Sequence, residues 1–517
     1  MTDRPEPLDT VRYLLTAEEA WPAFEEAVLD AKSRIVGGFR VFDPATKLRS
    51  EAGRKVGDDW FDLLVHVLGK GVRLDLILSD FDPIVAPDMH QLTWSSMRKF
   101  AALREAAGPD ARLSVIPAMH PAEAGAVAQV ALWPKVWQEL HDVRDWLNDR
   151  PPEERRTCFT DLPGTHAWLR LDDEGRIETH SPSPPPLHTV SHHQKLAVID
   201  GHVLYIGGLD LNPRRYDTKV HHRAAEETWH DVQILVTGKA AGHAEAHLDT
   251  MLDAVAGRGE ISADGHGFCR TLSRWKKNRV SMAPEIVRTS IADHTMDRVS
   301  RATTCLYFET QFFRDRALAD ALARRAGEVP DLEVLFVLPA APEVIAFEKR
   351  TKLDARYGEF LQAECVRKLM AAFGDRVYFA SPAQRRSARA GLCDENDRAV
   401  HHGAPLIYVH AKVSVFDRTS VLVSSANLNS RSLQWDTEAG LIRDDPAFAR
   451  TVLQRSLAHW IPDAPVDPDA PLVGQIREIA ELDAVRQPEN RSSYLLPYDV
   501  TRAEAFGMNL PVPEGLV

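Results

Sequence analysis

One reactive pattern occurs twice in this chain, and that duplication constrains its fold more than any other feature. His193, Lys195 and Asp200 form an H-x-K-x4-D motif, and His410, Lys412 and Asp417 repeat it at the same spacing. The match runs on: after Asp200 and six intervening residues stand Gly207-Gly208-Leu209-Asp210, and after Asp417 and six intervening residues stand Ser424-Ser425-Ala426-Asn427. A single such motif arises by chance in about one chain of this size in twenty, and two with matched tails far more rarely. The chain therefore reads as two related halves.

A longer repeat underlies the motifs. In the first half the strand candidate "SRIVGGFRVFDP" leads to the helix "DDWFDLLVHVLGKG", the strand "VRLDLILSD", the helix "SMRKFAALREAAG" and the strand "ARLSVIPA". In the second, "TTCLYFETQFF" is followed by "ALADALARRAG", "DLEVLFVLP", "FLQAECVRKLMAAFG" and "DRVYFAS" in the same order. Short apolar runs alternating with helical periodicity predict an α/β architecture of two similar halves, each a mixed sheet flanked by helices. The expected divisions are 1–265, 266–462 and a C-terminal extension 463–517 whose Pro-punctuated end wraps the surface. An insertion at about 119–187 holds the helix candidate "WPKVWQELHDVRDWLND" and leads into "SPSPPPLH". It is either a roof over the site or a surface elaboration.

Each motif falls on a hairpin candidate. "KLAVID" turns at Asp200-Gly201 into "HVLYIGG", and "KVSVFD" turns at Arg418-Thr419 into "SVLVSS". Side chains two apart on a strand share a face, so His193 points with Lys195, His410 with Lys412, and Ser425 with Asn427. Asp200 and Asp417 have the opposite parity at strand ends. They are expected to support the motif by ion pairing or turn capping and not to move protons.

This residue set suits phosphodiester cleavage. One histidine attacks phosphorus as neutral imidazole while the other, protonated, donates to the leaving oxygen. Water or an alcohol then attacks the phosphohistidine with the second histidine as base. Lys195 and Lys412 would hold the non-bridging oxygens, helped by Asn427 and the Ser425 hydroxyl. Each imidazole needs its other nitrogen held, and Asp231 in "WHDVQ" and Glu438 in "WDTEAGL" occupy corresponding places after the two motifs. With two lysines for charge, and neither H-E-x-x-H nor a Cys/His quartet present, no metal or cofactor is expected. His188, His192, His221, His222, His401 and His402 are read as core or surface residues.

These motifs resemble the phospholipase D superfamily, whose repeated motif is H-x-K-x4-D-x6-G-S-x-N. The second copy departs in Ser424, and the first in Asp210, which stands where an asparagine would be. The G-G-x-D form is similar to that of phospholipase D enzymes proper, and "TWHDVQ" and "YFETQFF" resemble further segments of the family. The resemblance implies one active site between the halves, His193 as nucleophile and His410 as general acid. It also implies that Asp210 and Gln311 take part in substrate binding, and it places Glu309 either on the pocket floor or as a buried polar residue. Trp229, Trp435 and Tyr307 are expected in the core near the site, where an aromatic ring suits a choline-like head group.

Composition narrows the substrate class. Of 517 residues, 44% are hydrophobic and 26% charged, as in ordinary globular proteins. The net charge of −13 disfavours a chain built to hold nucleic acid, and Arg385, Arg386 and Arg389 read as a solvated patch. No apolar run reaches the length of a membrane span, unlike many cardiolipin synthases of the superfamily, and "MTDRPEPLDT" has no signal-peptide pattern. Five unpaired-looking cysteines suit a reducing cytoplasm. The expectation is a cytoplasmic or membrane-peripheral phospholipase D-type hydrolase or phosphatidyltransferase. It would meet phospholipid at a membrane surface, use water or alcohol as acceptor, and bind no nucleic acid. The alternatives are a nuclease or other phosphodiesterase of the superfamily, and a non-catalytic lipid- or phosphate-binding protein.

Overall fold

The computed structural model describes residues 10–181, 183, 185–277, 280, 282–349, 352–388 and 397–517. Parts of the Pro-rich run, Arg389 and Cys393 lie outside them. The first sheet takes its edge strand β1 (Val11–Leu15) from the N-terminal region. Three parallel strands, β2 (Arg34–Phe39), β3 (Arg73–Ser79) and β4 (Leu113–Ala118), are joined through the helices Trp60–Gly69 and Pro87–Ala107. The chain then makes the insertion, with helices Ala126–Asn148 and Pro152–Thr160 and a hairpin of β5 (Leu169–Leu171) and β6 (Ile177–Thr179). Leu140, Leu147, Leu162, Leu169 and Ile177 give this segment a small core of its own. It returns through the motif hairpin, β7 (Leu196–Ile199) and β8 (Val203–Gly207), to β9 (Val232–Thr237). The strand order is β1-β9-β8-β7-β2-β3-β4.

The second sheet repeats this plan. It opens with β10 (Phe268–Arg274) and β11 (Glu285–Thr289), then runs β12 (Cys305–Glu309), β13 (Glu333–Val337) and β14 (Val377–Pro382) in parallel. A small hairpin of β15 (Val400–His401) and β16 (Ala404–Pro405) precedes the second motif hairpin, β17 (Val413–Phe416) and β18 (Ser420–Ser424), and β19 (Glu438–Asp444) follows. The order β19-β18-β17-β12-β13-β14 reproduces β9-β8-β7-β2-β3-β4, strand for strand and direction for direction. The tail does more than wrap the surface. Helix Leu472–Ala484 packs on β13 and β14, and β20 (Leu495–Pro497) extends the sheet as an antiparallel neighbour of β14.

Strand alternation sorts the core into layers. Leu196 and Val198 face a core shared by both sheets, where they join Val413, Val415, Val421 and Leu441. Ala197 and Ile199 face the helices on the outer side of the first sheet, and Phe416 and Leu422 face those of the second. The two motif hairpins are thus central to their sheets and meet across a common apolar layer.

The hairpin turns differ from expectation in one place. Asp200-Gly201 form the first turn, both left-handed at φ 51° and 67°, with the His202 N–H donating to the Ile199 carbonyl. In the second, the left-handed pair is Asp417-Arg418 (φ 48° and 57°), one residue earlier than Arg418-Thr419, and the Thr419 N–H closes it on Phe416. Two consecutive left-handed residues normally call for glycine or asparagine. Here the Asp417 carboxylate accepts the backbone N–H groups of Thr303, Thr304 and Cys305, at 2.8, 2.8 and 3.0 Å, which holds the turn in place. Asp200 does the same for Lys32, Ser33 and Arg34. Burial pushes both carboxyls upward, but these hydrogen bonds outweigh it and keep each below the usual carboxylate range. The two motif aspartates therefore tie each hairpin to the strand beside it, and among the described residues neither forms a salt bridge.

Candidate active site

His193 and Lys195 lie just before β7, and His410 and Lys412 just before β17, where the extended chain leaves its own sheet and pairs with the opposite half. The His193 N–H donates to the Thr437 carbonyl (2.8 Å) and the Thr437 N–H to Ser191 (3.0 Å). The second motif mirrors this, with His410 donating to His230 (2.7 Å) and His230 to Tyr408 (2.8 Å). Thr437 and His230 immediately precede Glu438 and Asp231, so each exchange carries an acid to the other half's histidine. Glu438 receives His193 Nδ1 at 2.9 and 3.1 Å, and Asp231 receives His410 Nδ1 at 2.6 Å. The acids are crossed between halves, which spacing alone does not reveal.

The two imidazoles face one another with ring centroids 6.4 Å apart. Since Nδ1 of each is committed to a carboxylate, Nε2 is the nitrogen left for chemistry. Burial, reinforced by Lys195, Arg40, Lys412 and Arg431, holds His193 well below the ordinary imidazole range. Burial with Lys412, Lys195 and Arg215 does the same to His410. The acids move the opposite way. Burial pushes Glu438 up to about 8 against the pull of Lys195, and Asp231 up to about 7 against that of Lys412. Each imidazole and its acid are thus a coupled pair, with one proton held between Nδ1 and the carboxylate.

The lysines are placed alike but balanced differently. Each ammonium donates to the carbonyl of its own histidine, His193 or His410. Lys195 also has Asp210 at 3.9 Å. Burial lowers both lysines, opposed first by Asp210 for Lys195 and by Asp231 for Lys412, which is pushed down to about 7.

A cavity of about 400 Å³ opens on this constellation. Among the expected residues, His193, Asn427 and Gln311 line it. Asn427 Oδ1 has no protein partner among the described residues, and the Gln311 amide donates to the Tyr408 hydroxyl (2.6 Å). Two expected substrate contacts are corrected. The fully buried Ser425 hydroxyl donates to Glu438 Oε2 at 2.5 Å, so it steadies the acid and does not reach the phosphate. Asp210 accepts the Val41 N–H (2.9 Å) and faces Lys195, so it balances a cation. Glu309 is buried against His230, Tyr307 and Trp460, away from the cleft.

The three expected aromatics lie in the core near the site. Trp229 is sealed against the His410 ring (centroids 4.5 Å) and the Arg215 guanidinium (3.6 Å), and Trp435 and Tyr307 are buried. Phe81, Phe312 and Tyr408 line the cleft instead. No described residue of the 119–187 insertion lines it, so the roof comes from Phe81 to Met89, Pro342 to Val344, Asp354 to Ala355, and Leu516. The insertion packs on that roof directly, with Ile84 in its apolar cluster, and reaches its other side through the Glu139–Lys352 ion pair (2.8 Å). Motif reading missed three cations that line the cleft, Arg40, Arg314 and Arg431. Isolated arginines carry no spacing signal. Of the supposed surface patch, Arg385 pairs with Asp463 and Arg386 is bound to Gln384 and the Arg223 carbonyl.

Residues 296–460 match the family described as "Cardiolipin synthase, PLD-like domain". The chain is 22% identical over 418 residues to phospholipase D alpha 1 of Oryza sativa subsp. japonica, and 23% identical over 419 residues to that of Vigna unguiculata. Each comparison covers 58% of this chain and 51% of the relative, so the chain spans about half the length of the curated relatives it matches. The solved structure of phosphatidylserine synthase from Haemophilus influenzae Rd KW20 superposes with a TM-score of 0.49 at 13% identity, covering 86% of each chain. The chain is thus similar in sequence to the phospholipase D superfamily, with the family match covering the second motif, His410 to Asp417.

Proposed function

We propose that the protein is a phospholipase D-type phosphodiesterase, which cleaves a glycerophospholipid to phosphatidate and free head group through a phosphohistidine. The observation that carries this reading is the pair of facing imidazoles, each backed by a carboxylate from the opposite half, with Lys195 and Lys412 close by and His193 opening on the cleft. His193 Nε2 attacks phosphorus, the bond from phosphorus to the head-group oxygen breaks, and His410 gives that oxygen its proton. Water or an alcohol then attacks the phosphohistidine, His410 takes its proton back, and the phosphorus–nitrogen bond returns its electrons to His193.

The charge balance favours a phosphodiester anion. A phosphate placed between Lys195, Lys412 and Asn427 supplies negative charge that favours the protonated form of His410, while Glu438 keeps the His193 proton on Nδ1 and leaves Nε2 free to attack. Lys195, Arg40, Lys412 and Arg431 gather around His193, which reconciles a chain of net charge −13 with an anionic substrate. The lipid class is supported by Phe81, Ala86, Met89, Phe312, Val344 and Leu516, which form an apolar rim beside the cations. Val85 and Leu353, neighbours of that rim, are exposed, as are Val127, Val130 and Trp133 on the insertion helix. These suit peripheral contact with a membrane surface. Among the described residues no helix is long and apolar enough to cross a membrane.

The test is release of head group and phosphatidate from mixed phosphatidylcholine, phosphatidylethanolamine and phosphatidylglycerol vesicles by wild type, His193→Ala and His410→Ala, with DNA cleavage measured alongside. Lipid turnover that falls at least about 10³-fold in both variants is expected. DNA cleavage without lipid turnover would assign a nuclease, and neither activity would leave a binding role.

A further inference from the structure

Behind the cleft, on the far side of Asp231, three histidines converge from distant parts of the chain. His221 comes from the loop before β9, His230 from the residue preceding Asp231, and His459 from the end of helix Pro446–Trp460. His221 and His230 are fully buried and His459 is 8% exposed. One ring nitrogen from each lies within 4.8 Å of the others, and His221 Nε2 stands 3.0 Å from His459 Nε2.

Two carboxylates settle which nitrogens carry protons. Asp217 accepts from His221 Nδ1 at 2.7 Å, which leaves Nε2 of that ring as a lone pair. Glu309 accepts from His230 Nε2 at 2.9 Å, which leaves Nδ1 as a lone pair, and this buried Nδ1 has no hydrogen-bond partner among the described residues. Both acids are themselves anchored: Asp217 by the N–H groups of Trp229 and Thr218, and Glu309 by the Tyr307 hydroxyl and the Trp460 indole. Lone pairs from two imidazoles thus share one buried spot, and a single third imidazole cannot supply protons to both with its one available nitrogen. A buried acceptor left without a donor is costly, so the arrangement calls for an electrophile.

We propose that His221, His230 and His459 bind a divalent first-row transition ion, zinc, at a site separate from the catalytic histidines. The donor set selects for it. Imidazole nitrogens suit zinc, whereas calcium and magnesium require oxygen ligands. The Nε2 pair at 3.0 Å is near the roughly 3.3 Å between two nitrogens on a tetrahedral ion bonded at about 2.0–2.1 Å. Asp217 and Glu309 hold the distal nitrogens as carboxylates do behind metal-bound histidines, and they offset the charge of a dication. The site would fasten the segment that carries Asp231 to the helix of the second half. Since the His230 carbonyl accepts the His410 N–H, it would also brace the general acid from behind.

The test strips full-length protein with a chelator and titrates zinc sulfate against a chromophoric competitor, for wild type, His459→Gln, His221→Gln and Asp217→Asn. One tightly held zinc per chain is expected in wild type, lost in both histidine variants and weakened about 10–100-fold in Asp217→Asn. X-ray absorption on the zinc-loaded wild type needs no variant to fold, and should show at least three imidazole nitrogens at about 2.0–2.1 Å. The cleft pair offers two imidazoles, so that count separates the sites. Failure of wild type to hold zinc, a shell of two or fewer imidazoles, or zinc kept in His459→Gln but lost in His193→Ala would each overturn the proposal.

Discussion

Seen from His193, the supporting acid is Glu438, whose carboxylate also takes the Ser425 hydroxyl; seen from His410, it is Asp231, which lies against Gly208. Ser425 and Gly208 occupy the same place in the repeat. The longer glutamate reaches across and is tethered by a hydroxyl. The shorter aspartate needs the backbone close by, and a Cβ at residue 208 would overlap its Oδ1. Two solutions to one task have therefore fixed acid and neighbour together, and exchanging only one member should damage the site. The lysines teach the same lesson, since Lys195 has Asp210 beside it while the equivalent place near Lys412 holds Asn427.

The largest effects should come from the acids. Asp231→Asn and Glu438→Gln are each expected to lower kcat about 10²–10⁴-fold, measured as head-group release, with little change in lipid affinity. A loss confined to one variant would show that the crossed dyads are not functionally equivalent. Next come the neighbours. Gly208→Ser should approach the Asp231→Asn defect because it displaces the carboxylate, whereas Ser425→Gly removes one charge-assisted hydrogen bond and should cost about 10–100-fold. Equal and small effects would refute the pairing of acid length with neighbour.

The pH profile is a finer test. Lys412, pushed down to about 7, loses its charge as pH rises through that value, so kcat/KM should fall from near neutrality and not from the ordinary lysine range of about 10. The phosphodiester anion favours the ammonium, so the alkaline limb of kcat should lie higher than that of kcat/KM. Asn427→Asp would give Lys412 the carboxylate that Lys195 already has, raising its pKa and moving the kcat/KM limb to higher pH, with a higher KM. A limb that stays put would remove the lysine asymmetry as its cause.

The smallest effect on turnover belongs to the tethering aspartates. Asp200→Asn and Asp417→Asn should each lose about 1.5–3 kcal/mol of stability in urea unfolding, with kcat of the folded protein little changed. Their carboxyls lie below the ordinary carboxylate value, so the stability they contribute is present above about pH 4 and is lost as pH falls through the folded pKa. The gap between wild type and variant should therefore close in acid. A gap that persists unchanged would point to a role other than accepting those N–H groups.

The fold was legible because its determinants are local. Strand and helix periodicity, repeated in the same order, carried the two sheets and the positions of β7, β8, β17 and β18. The site was legible as far as the doubled motif and the acids at matching offsets. What failed was tertiary or conformational. Pleat parity aimed Ser425 with Asn427 at the substrate, but β18 ends at Ser424, and beyond it the rule no longer applies. The second turn begins one residue early because Asp417, and no glycine, accepts the left-handed conformation. Arg40, Arg314 and Arg431 are single cations in unremarkable contexts, and only folding collects them. His221, His230 and His459 lie too far apart in the chain for any motif to join them.

The crossed acids also change how the molecule responds to disturbance. Each half supplies a histidine that the other half's acid must orient, and both exchanges run through the same seam between the sheets. Parting that seam slightly does not leave one working centre and one damaged one; it removes the proton partner of the proposed nucleophile and the proposed general acid in a single motion. Turnover should therefore switch off all at once with loosening of the seam, well before either sheet melts, and loss of activity would be the earliest sign that the halves have begun to separate.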